Sequence, residues 1–184
     1  MALETCGIDE AGRGPIAGPL VIAGCVLLKE IKGLNDSKKL SAKKRERLFE
    51  EIIKNSVYHI EWIWPDEIDK KGLSFAIAKG LKAIKQNIKA KKYLFDGNSS
   101  FGVEGIETIV KGDSKIKEIS AASILAKVSR DKYMIEIADK YPQFSFKKHK
   151  GYITKAHIEE IKKYGFSDIH RKSYRLKALE PTLF

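Results

Sequence analysis

Apolar and polar positions along the chain follow two different periods, which predict separate strands and helices. Residues 3–9 and 19–28 are apolar runs of strand length, and the second is so uniformly apolar that it predicts a central, buried strand. Residues 57–63 alternate between apolar and polar positions and predict a third strand. Shorter apolar runs at 93–95 and 106–110 predict two more strands.

Apolar positions three or four residues apart predict four helices among these strands. Ser41 suits the N-cap of the first helix, which runs to about residue 55. Pro65 breaks the third strand, and residues 73–84 then have the period of a helix. The longest helix is expected at about 118–140 and the last at about 155–164, before a basic tail. This order predicts an α/β fold, with a mixed sheet flanked by helices.

The composition is that of one globular domain with a basic surface. The 184 residues are 43% hydrophobic and 32% charged, which is typical of a folded chain with a sizeable core. The net charge is +11, and the sequence pI of about 9.5 favours a polyanionic partner such as nucleic acid. A lysine-rich solvated surface is the alternative explanation of the charge.

Several other classes of protein are disfavoured. The longest apolar stretch, residues 15–28, is too short for a membrane helix, and the first residues lack the pattern of a signal peptide. Cys6 and Cys25 form no C-x-x-C motif, so we expect buried, reduced thiols in a cytoplasmic protein. The four histidines are scattered, which disfavours a zinc site.

The segment at residues 7–19 carries the strongest chemical signal. Asp9 and Glu10 end an apolar run and are followed by Gly12, Arg13 and Gly14. Side chains alternate along a strand, so the two acids can share a site only if the strand breaks there, as the glycines would allow. Carboxylates for a hard cation, beside an arginine and bare amides for a sugar-phosphate, favour a nuclease site. A strand end with two solvated acids and a hairpin is the alternative.

Two further acids follow later strands. Asp96 comes directly after the strand at 93–95, and Asp113 follows the strand at 106–110. Strand ends at one edge of a sheet are where ligands bind in α/β folds, and an all-oxygen set of ligands suits Mg²⁺ or Mn²⁺. The Gly-Asp-Ser sequence around Asp113 is also typical of a turn, so spacing alone leaves its role open.

Seven motifs in order resemble those of ribonuclease HII, the type 2 ribonuclease H family, across about residues 4–175. They lie at residues 7–19, 35–41, 95–98, 111–115, 121–131, 148–152 and 170–174. Ile153 stands where the family usually has glycine, and Tyr174 where phenylalanine is common. The resemblance implies an RNase H-like fold in a single domain, residues 1–184, with a core of about 1–140 and a small C-terminal helical and basic part of about 141–184.

The resemblance also implies the reaction. It predicts a monomeric endoribonuclease that cuts the RNA strand of RNA–DNA hybrids and incises 5′ to ribonucleotides embedded in duplex DNA, leaving 3′-hydroxyl and 5′-phosphate ends. The family's catalytic and metal-binding acids match Asp9, Glu10, Asp96 and Asp113, which would hold two Mn²⁺ or Mg²⁺ ions during catalysis. A non-catalytic basic module that binds structured RNA is the alternative function.

The substrate contacts follow in the same way. Gly12, Arg13 and Gly14 match the loop that touches the ribonucleotide's 2′-hydroxyl and phosphate, and Tyr152 matches the tyrosine that packs on the next deoxyribose. The remaining candidates for phosphate contacts are Lys38 and Lys39, the helix-face pair Ser123 and Lys127, and Arg171 with its neighbour His170. The last two could instead pack the tail.

Overall fold

A five-stranded sheet forms the centre of the computed structural model, which describes residues 3–35, 37–176 and 179. Its strands are β1 (Leu3–Ala11), β2 (Leu20–Leu27), β3 (Ser56–Ile63), β4 (Ala90–Asp96) and β5 (Glu107–Ile109), in the order β3-β2-β1-β4-β5. β1 is antiparallel to β2 and parallel to β4. The predicted mixed sheet is therefore confirmed. Asp36 of the second motif and part of the predicted basic tail, residues 177, 178 and 180–184, lie outside the described residues.

Helices cover both faces of the sheet. They are α1 (Ala42–Lys54), α2 (Pro65–Lys71), α3 (Leu73–Asn87), α4 (Lys117–Ile137), α5 (Phe146–His149) and α6 (Lys155–Tyr164). The four predicted helices are present, and the Ser41 hydroxyl caps α1 by accepting from the Lys44 amide. The sequence reasoning missed α2 and the four-residue α5. Pro65 ends a strand as predicted, but it also begins α2, because the first position of a helix needs no amide hydrogen bond.

β2 is the central strand that its apolar run predicts. All its residues except Leu27 are buried. Leu20 and Ile22 face the core beneath α3, whereas Val21, Ala23 and Cys25 face the core beneath α1 and α4. A strand covered on both faces needs apolar residues at consecutive positions, which explains why its pattern does not alternate.

The N-terminal end of α4 lies directly against β1. Gly7 makes this approach possible, since a Cβ atom there would be 2.2 Å from the carbonyl carbon of Glu118 and from the amide nitrogen of Ile119. The close packing places the first turns of α4 beside the carboxyl end of β1. That end carries Asp9 and Glu10.

The C-terminal part packs against the segment that follows β1. Its core contains Phe144, Phe146 and Ile161 together with Ile16, Ala17, Met134 and Ala138. An antiparallel bridge joins Ala17 to His170. This core contains residues from both sides of the boundary that was predicted near residue 140. The boundary itself stays a prediction. Among the described helices, none is long and apolar enough to cross a membrane.

Candidate active site

Three aspartates from separate parts of the chain meet at one edge of the sheet. Asp9 lies near the end of β1, Asp96 is the last residue of β4, and Asp113 lies in a 3₁₀ turn, Gly112–Ser114, after β5. One carboxylate oxygen from each lies within 4.8 Å of the other two. β1 and β4 are parallel, so their carboxyl ends reach the same edge. Asp113 is thus both a turn residue and a member of the acidic cluster, the name used below for Asp9, Asp96 and Asp113.

Glu10 is held differently from the prediction. β1 does not break after Glu10 but continues to Ala11, which pairs with Val21 of β2. On its other side, the register with β4 ends at the pair of Ile8 and Phe95, so only β2 flanks the last residues of β1. Glu10 lies outside the acidic cluster of three, and its carboxylate is 2.7 Å from the guanidinium of Arg13.

Backbone amides fix the carboxylates of the cluster. The Glu10 amide donates to the Asp9 carboxylate at 2.8 Å, and the Gly112 amide donates to the Asp96 carboxylate at 2.9 Å. The Ser120 hydroxyl of α4 donates to the main-chain carbonyl of Asp113. The carboxylates of Asp9 and Asp96 are thus oriented by backbone amides, whereas for Asp113 it is the backbone that α4 holds in place.

The cluster is electrostatically unfavourable without a cation. Burial raises the pKa of Asp9 well above its usual range, and the negative charges of Glu10 and Asp96 raise it further. Burial also raises the pKa of Glu10, an effect that the Arg13 guanidinium opposes. The Glu10 Oε2 atom is buried and has no hydrogen-bond partner among the described residues. Carboxylate oxygens with unmet demand for positive charge fit a hard divalent cation such as Mg²⁺ or Mn²⁺.

A cavity of about 460 Å³ joins the acids to the predicted substrate loop. Its lining residues include Asp9, Glu10, Gly12, Arg13, Gly14, Lys38, Asp96, Ser123, Lys127 and Tyr152. A second cavity beside it contains Lys38, Lys39, Asp96, Lys111, Asp113 and Ser114. The structure thus brings the predicted Gly-Arg-Gly loop, the two lysines and Tyr152 to the surface around the acidic cluster.

Tyr152 forms one wall of the first cavity. Its side chain is 38% exposed, and its ring lies under two cations, with Lys127 Nζ at 5.2 Å and the Arg130 guanidinium carbon at 5.3 Å from the ring centroid. Lys127 also pairs with Asp131 at 2.8 Å. Cation–π contacts of this kind fix the plane of the ring while one part of it stays open to a ligand.

Ser123 and Arg171, two of the predicted phosphate contacts, are both buried, although Ser123 lines the first cavity. Ser123 is buried, hydrogen-bonds Ser37 at 2.8 Å and contacts the Asp9 carboxylate, where it lowers the Asp9 pKa. Arg171 is fully buried, and its guanidinium donates to the carbonyls of Gly18 and Arg13. His170 is also buried. Of the two interpretations of residues 170 and 171, the structure supports packing of the tail.

Sequence reasoning did not identify Arg130. This arginine of α4 is fully buried and donates to the carbonyls of Pro19, Lys150 and Ala17 at 2.9–3.0 Å. Burial lowers its pKa to about 10, which leaves the guanidinium charged at neutral pH. Its partners are 20 to 113 residues away in the chain, so no local pattern could have indicated the role.

Comparisons with known proteins agree with this geometry. A family model for ribonuclease HII matches residues 6–177. A ribonuclease HII from Sulfurovum sp. is 57% identical over 180 residues, which are 97% of this chain and 96% of the relative.

Two solved structures have the same fold. A chain in the PCNA:RNase HII complex from Archaeoglobus fulgidus superposes with a TM-score of 0.81 at 28% identity, over 98% of both chains. The ribonuclease H2 of Pyrococcus horikoshii has a TM-score of 0.75 at 31% identity, over 92% of this chain and 93% of that one. The predicted RNase H-like fold is confirmed.

Proposed function

This chain belongs to the ribonuclease HII family, a family of metal-dependent ribonucleases H, and we propose that it incises duplex DNA 5′ to single embedded ribonucleotides as well as cutting the RNA strand of RNA–DNA hybrids. The products would carry 3′-hydroxyl and 5′-phosphate ends. The observation that supports this proposal is the convergence of three aspartates beside a cavity that also contains the Gly-Arg-Gly loop and Tyr152.

Asp9, Glu10, Asp96 and Asp113 would hold the divalent ions, since Glu10 lines the same cavity as Asp9 and Asp96 and its charge acts on both of these acids. Two ions of Mg²⁺ or Mn²⁺, when bound, would supply a water of lowered pKa and neutralise the charge that develops at phosphorus and at the leaving 3′ oxygen. The backbone amides that orient Asp9 and Asp96 keep the ligand oxygens in place before any ion arrives. The buried Glu10 Oε2 atom, which lacks a hydrogen-bond partner among the described residues, is an oxygen that a divalent ion would satisfy.

Arg13 links substrate reading to the acids. Its guanidinium pairs with Glu10, lies 5.7 Å from the Phe101 ring centroid, and has a buried Nε–H without a partner in the described part of the chain. An arginine held in this way presents directed donors to a phosphate or to a 2′-hydroxyl. Gly14 has open space where a Cβ would be, so a sugar can approach the backbone there.

Tyr152 would recognise the nucleotide that follows the ribonucleotide. Its half-exposed ring can lie against a deoxyribose face, where an added 2′-hydroxyl would crowd it. Arg13 would sense the hydroxyl that is present, and Tyr152 the one that is absent. Together they would favour a single ribonucleotide over a long hybrid.

The test measures kcat/KM on a DNA duplex with one ribonucleotide and on a long RNA–DNA hybrid, with an all-DNA duplex as blank. Arg13→Ala should lower both values, because the 2′-hydroxyl occurs in both substrates. Tyr152→Ala should lower the first more than the second. Tyr164→Ala, an exposed tyrosine at the end of α6, is the matched control and should change neither.

Two outcomes would contradict the proposal. Equal losses on both substrates for Tyr152→Ala would make the tyrosine structural. Duplex binding without metal-dependent cleavage of either substrate would instead favour a basic nucleic-acid-binding module.

A further inference from the structure

Three histidines of the C-terminal part lie in contact with one another, away from the acidic cluster. The rings of His149 and His157 stack with centroids 4.0 Å apart, and Nε2 of His157 lies 3.0 Å from Nε2 of His170. All three are buried, and the rings of Phe144 and Phe146 pack around them. Three imidazoles at this depth, without an assigned role, require an explanation.

The hydrogen bonds allow one arrangement of protons. The Ser167 amide donates to Nδ1 of His170 at 2.9 Å, so Nδ1 is unprotonated and a neutral His170 carries its proton on Nε2. That Nε2–H then donates to Nε2 of His157, whose proton must be on Nδ1. This Nδ1–H donates to the carbonyl of Tyr152 at 2.9 Å. The two imidazoles form a directed chain from Ser167 to Tyr152, and protonation of either would set two N–H groups against each other.

These hydrogen bonds are part of a closed circuit of contacts around the predicted substrate loop. The Gly151 carbonyl, next to Tyr152, accepts from the amides of Ile16 and Ala17 at 3.0 and 3.3 Å. Ala17 in turn bridges to His170. The circuit of contacts therefore runs from Tyr152 through His157 and His170 to the segment after Gly14, and back through Gly151.

We propose that His157 and His170 are positioning residues, a neutral pair in fixed tautomers that sets Tyr152 against the Gly-Arg-Gly loop and thereby sets the preference for a single ribonucleotide. The proposal rests on the proposed function of Tyr152. Neither histidine reaches the first cavity, so both act through the backbone of Tyr152.

The surroundings keep the pair uncharged. Burial lowers the pKa of both His157 and His170 to about 4. The titratable groups that face them are His149, which opposes a positive charge, and Glu160 and Asp168, which favour one. Glu160 is committed elsewhere, since it accepts from His149 at 2.9 Å and from the Ser145 amide at 3.1 Å.

Two substitutions of His157 separate its two hydrogen bonds. Asparagine places its amide near the Nδ1 position and can still donate to Tyr152, whereas glutamine reaches the Nε2 position and loses that contact. His157→Gln should lower the ratio of kcat/KM for the single ribonucleotide over the hybrid by about fivefold, the value of one hydrogen bond. His157→Asn should keep the ratio within about twofold of the parent, by the same reasoning.

A double-mutant cycle identifies the route of the effect. In a Tyr152→Ala background, His157→Gln should change the ratio no further, because the ring that it positions is gone. Ile161→Ala, which opens the same C-terminal core but removes none of the hydrogen bonds of the histidine chain, is the stability-matched control and should keep the ratio. A similar fall in Ile161→Ala, or an additive effect in the double variant, would overturn the proposal.

Nitrogen NMR of the histidine side chains tests the tautomers in the unmodified protein, without any variant. At pH 6 to 7, His157 should be neutral with its proton on Nδ1, and His170 neutral with its proton on Nε2. An imidazolium or the opposite tautomer at either residue would overturn the proposal. If the parent cleaves neither substrate, the proposed function fails, but the positioning role can still be tested. It predicts this spectrum, together with an amide chemical shift of Tyr152 that changes in His157→Gln and stays the same in His157→Asn.

Discussion

Asp96→Asn should separate the charge of the acidic cluster from its shape. Asparagine has the same outline as aspartate, and its carbonyl oxygen can keep the 2.9 Å hydrogen bond from the Gly112 amide. What the variant loses is one negative charge next to Asp9 and Asp113. We expect it to stay folded, to bind duplex, and to lose cleavage.

The distances give the size of the effect on stability. The ligand oxygens of the cluster lie within 4.8 Å of one another, and two unit charges at that limit repel by about 3.5 kcal/mol at an effective dielectric constant of about 20. The raised pKa of Asp9 means that this acid partly escapes the repulsion by binding a proton, which reduces the gain on substitution. In the absence of metal, we expect Asp96→Asn to be more stable than the parent by about 2 kcal/mol, or about 4–8 °C in Tm.

Bound metal should make the parent more stable than Asp96→Asn, the reverse of the order expected without metal. A ligand at about 100 times its Kd stabilises a protein by about 2.7 kcal/mol, and the parent should gain this from Mn²⁺ where the variant gains little. The assay is thermal unfolding in EDTA and in saturating Mn²⁺, together with cleavage of the single-ribonucleotide duplex. Asp66→Asn, an exposed acid of α2 paired with Lys70, is the control and should behave as the parent.

Three results would refute the reasoning. They are a variant less stable than the parent in EDTA, an equal stabilisation of both by Mn²⁺, and turnover within about tenfold of the parent at saturating metal. The loss expected for removing a metal ligand exceeds the 10–100-fold typical of changes that only orient one.

Three further outcomes are expected. Lys38→Ala, at the wall shared by both cavities, should flatten the dependence of log affinity on log salt by about 0.9 without moving the cleavage site, and an unchanged slope would remove it from the phosphate contacts. Gly7→Ala should cost about 3 kcal/mol in urea unfolding, because its methyl group would strike the α4 backbone, whereas Gly14→Ala meets no atom within 4 Å and should be near neutral. Between pH 6.5 and pH 4 the free energy of unfolding should fall with pH, because His157 and His170 bind protons in the unfolded chain while they stay neutral in the fold. The fall should be at most about 1.4 kcal/mol per pH unit for each of the two histidines. The buried carboxylates with raised pKa values stabilise the fold as the pH falls, which is the opposite effect. The measurement is therefore the slope of the unfolding free energy against pH in the parent minus that in His157→Asn/His170→Asn. Equal slopes in the two proteins would contradict the prediction.

The sheet and its main helices could be predicted because their signals are local. The apolar run of β2 and the helical period of α3 each report burial within a few residues, and both elements form where they were expected. α2 was missed because Pro65 has two readings, the end of a strand or the start of a helix, and only the packing of Ile68 into the core decides between them. The continuation of β1 through Glu10 was missed for a similar reason, since pairing with β2 outweighs the glycines that follow.

The acids could be found because chemistry restricts them to strand ends, and a motif resemblance selects them from the other carboxylates. The roles of the buried Arg130 and of the His157–His170 pair could not, although packing of residues 170 and 171 against the tail was one of two interpretations. An arginine in the middle of α4 is by sequence a surface residue, and a histidine near the end of the chain is a polar residue beside a basic tail. Arg130 becomes structural only when α4 meets Pro19, 111 residues away in the chain, and His170 only when its backbone bridges to Ala17.

This difference between local and distant signals bears on how the site works. Arg130 and Arg171 use their donors mainly on carbonyls of residues 13 to 19, and the histidine pair holds the carbonyl of Tyr152. Arg13, Gly14 and Tyr152, which are proposed to touch substrate, therefore lie on or next to backbone whose carbonyls accept hydrogen bonds from buried side chains. A mutation in this supporting layer should change which substrate is preferred before it changes the rate of the chemical step, because the acidic cluster is held by separate hydrogen bonds donated by β1, the 3₁₀ turn Gly112–Ser114 and α4.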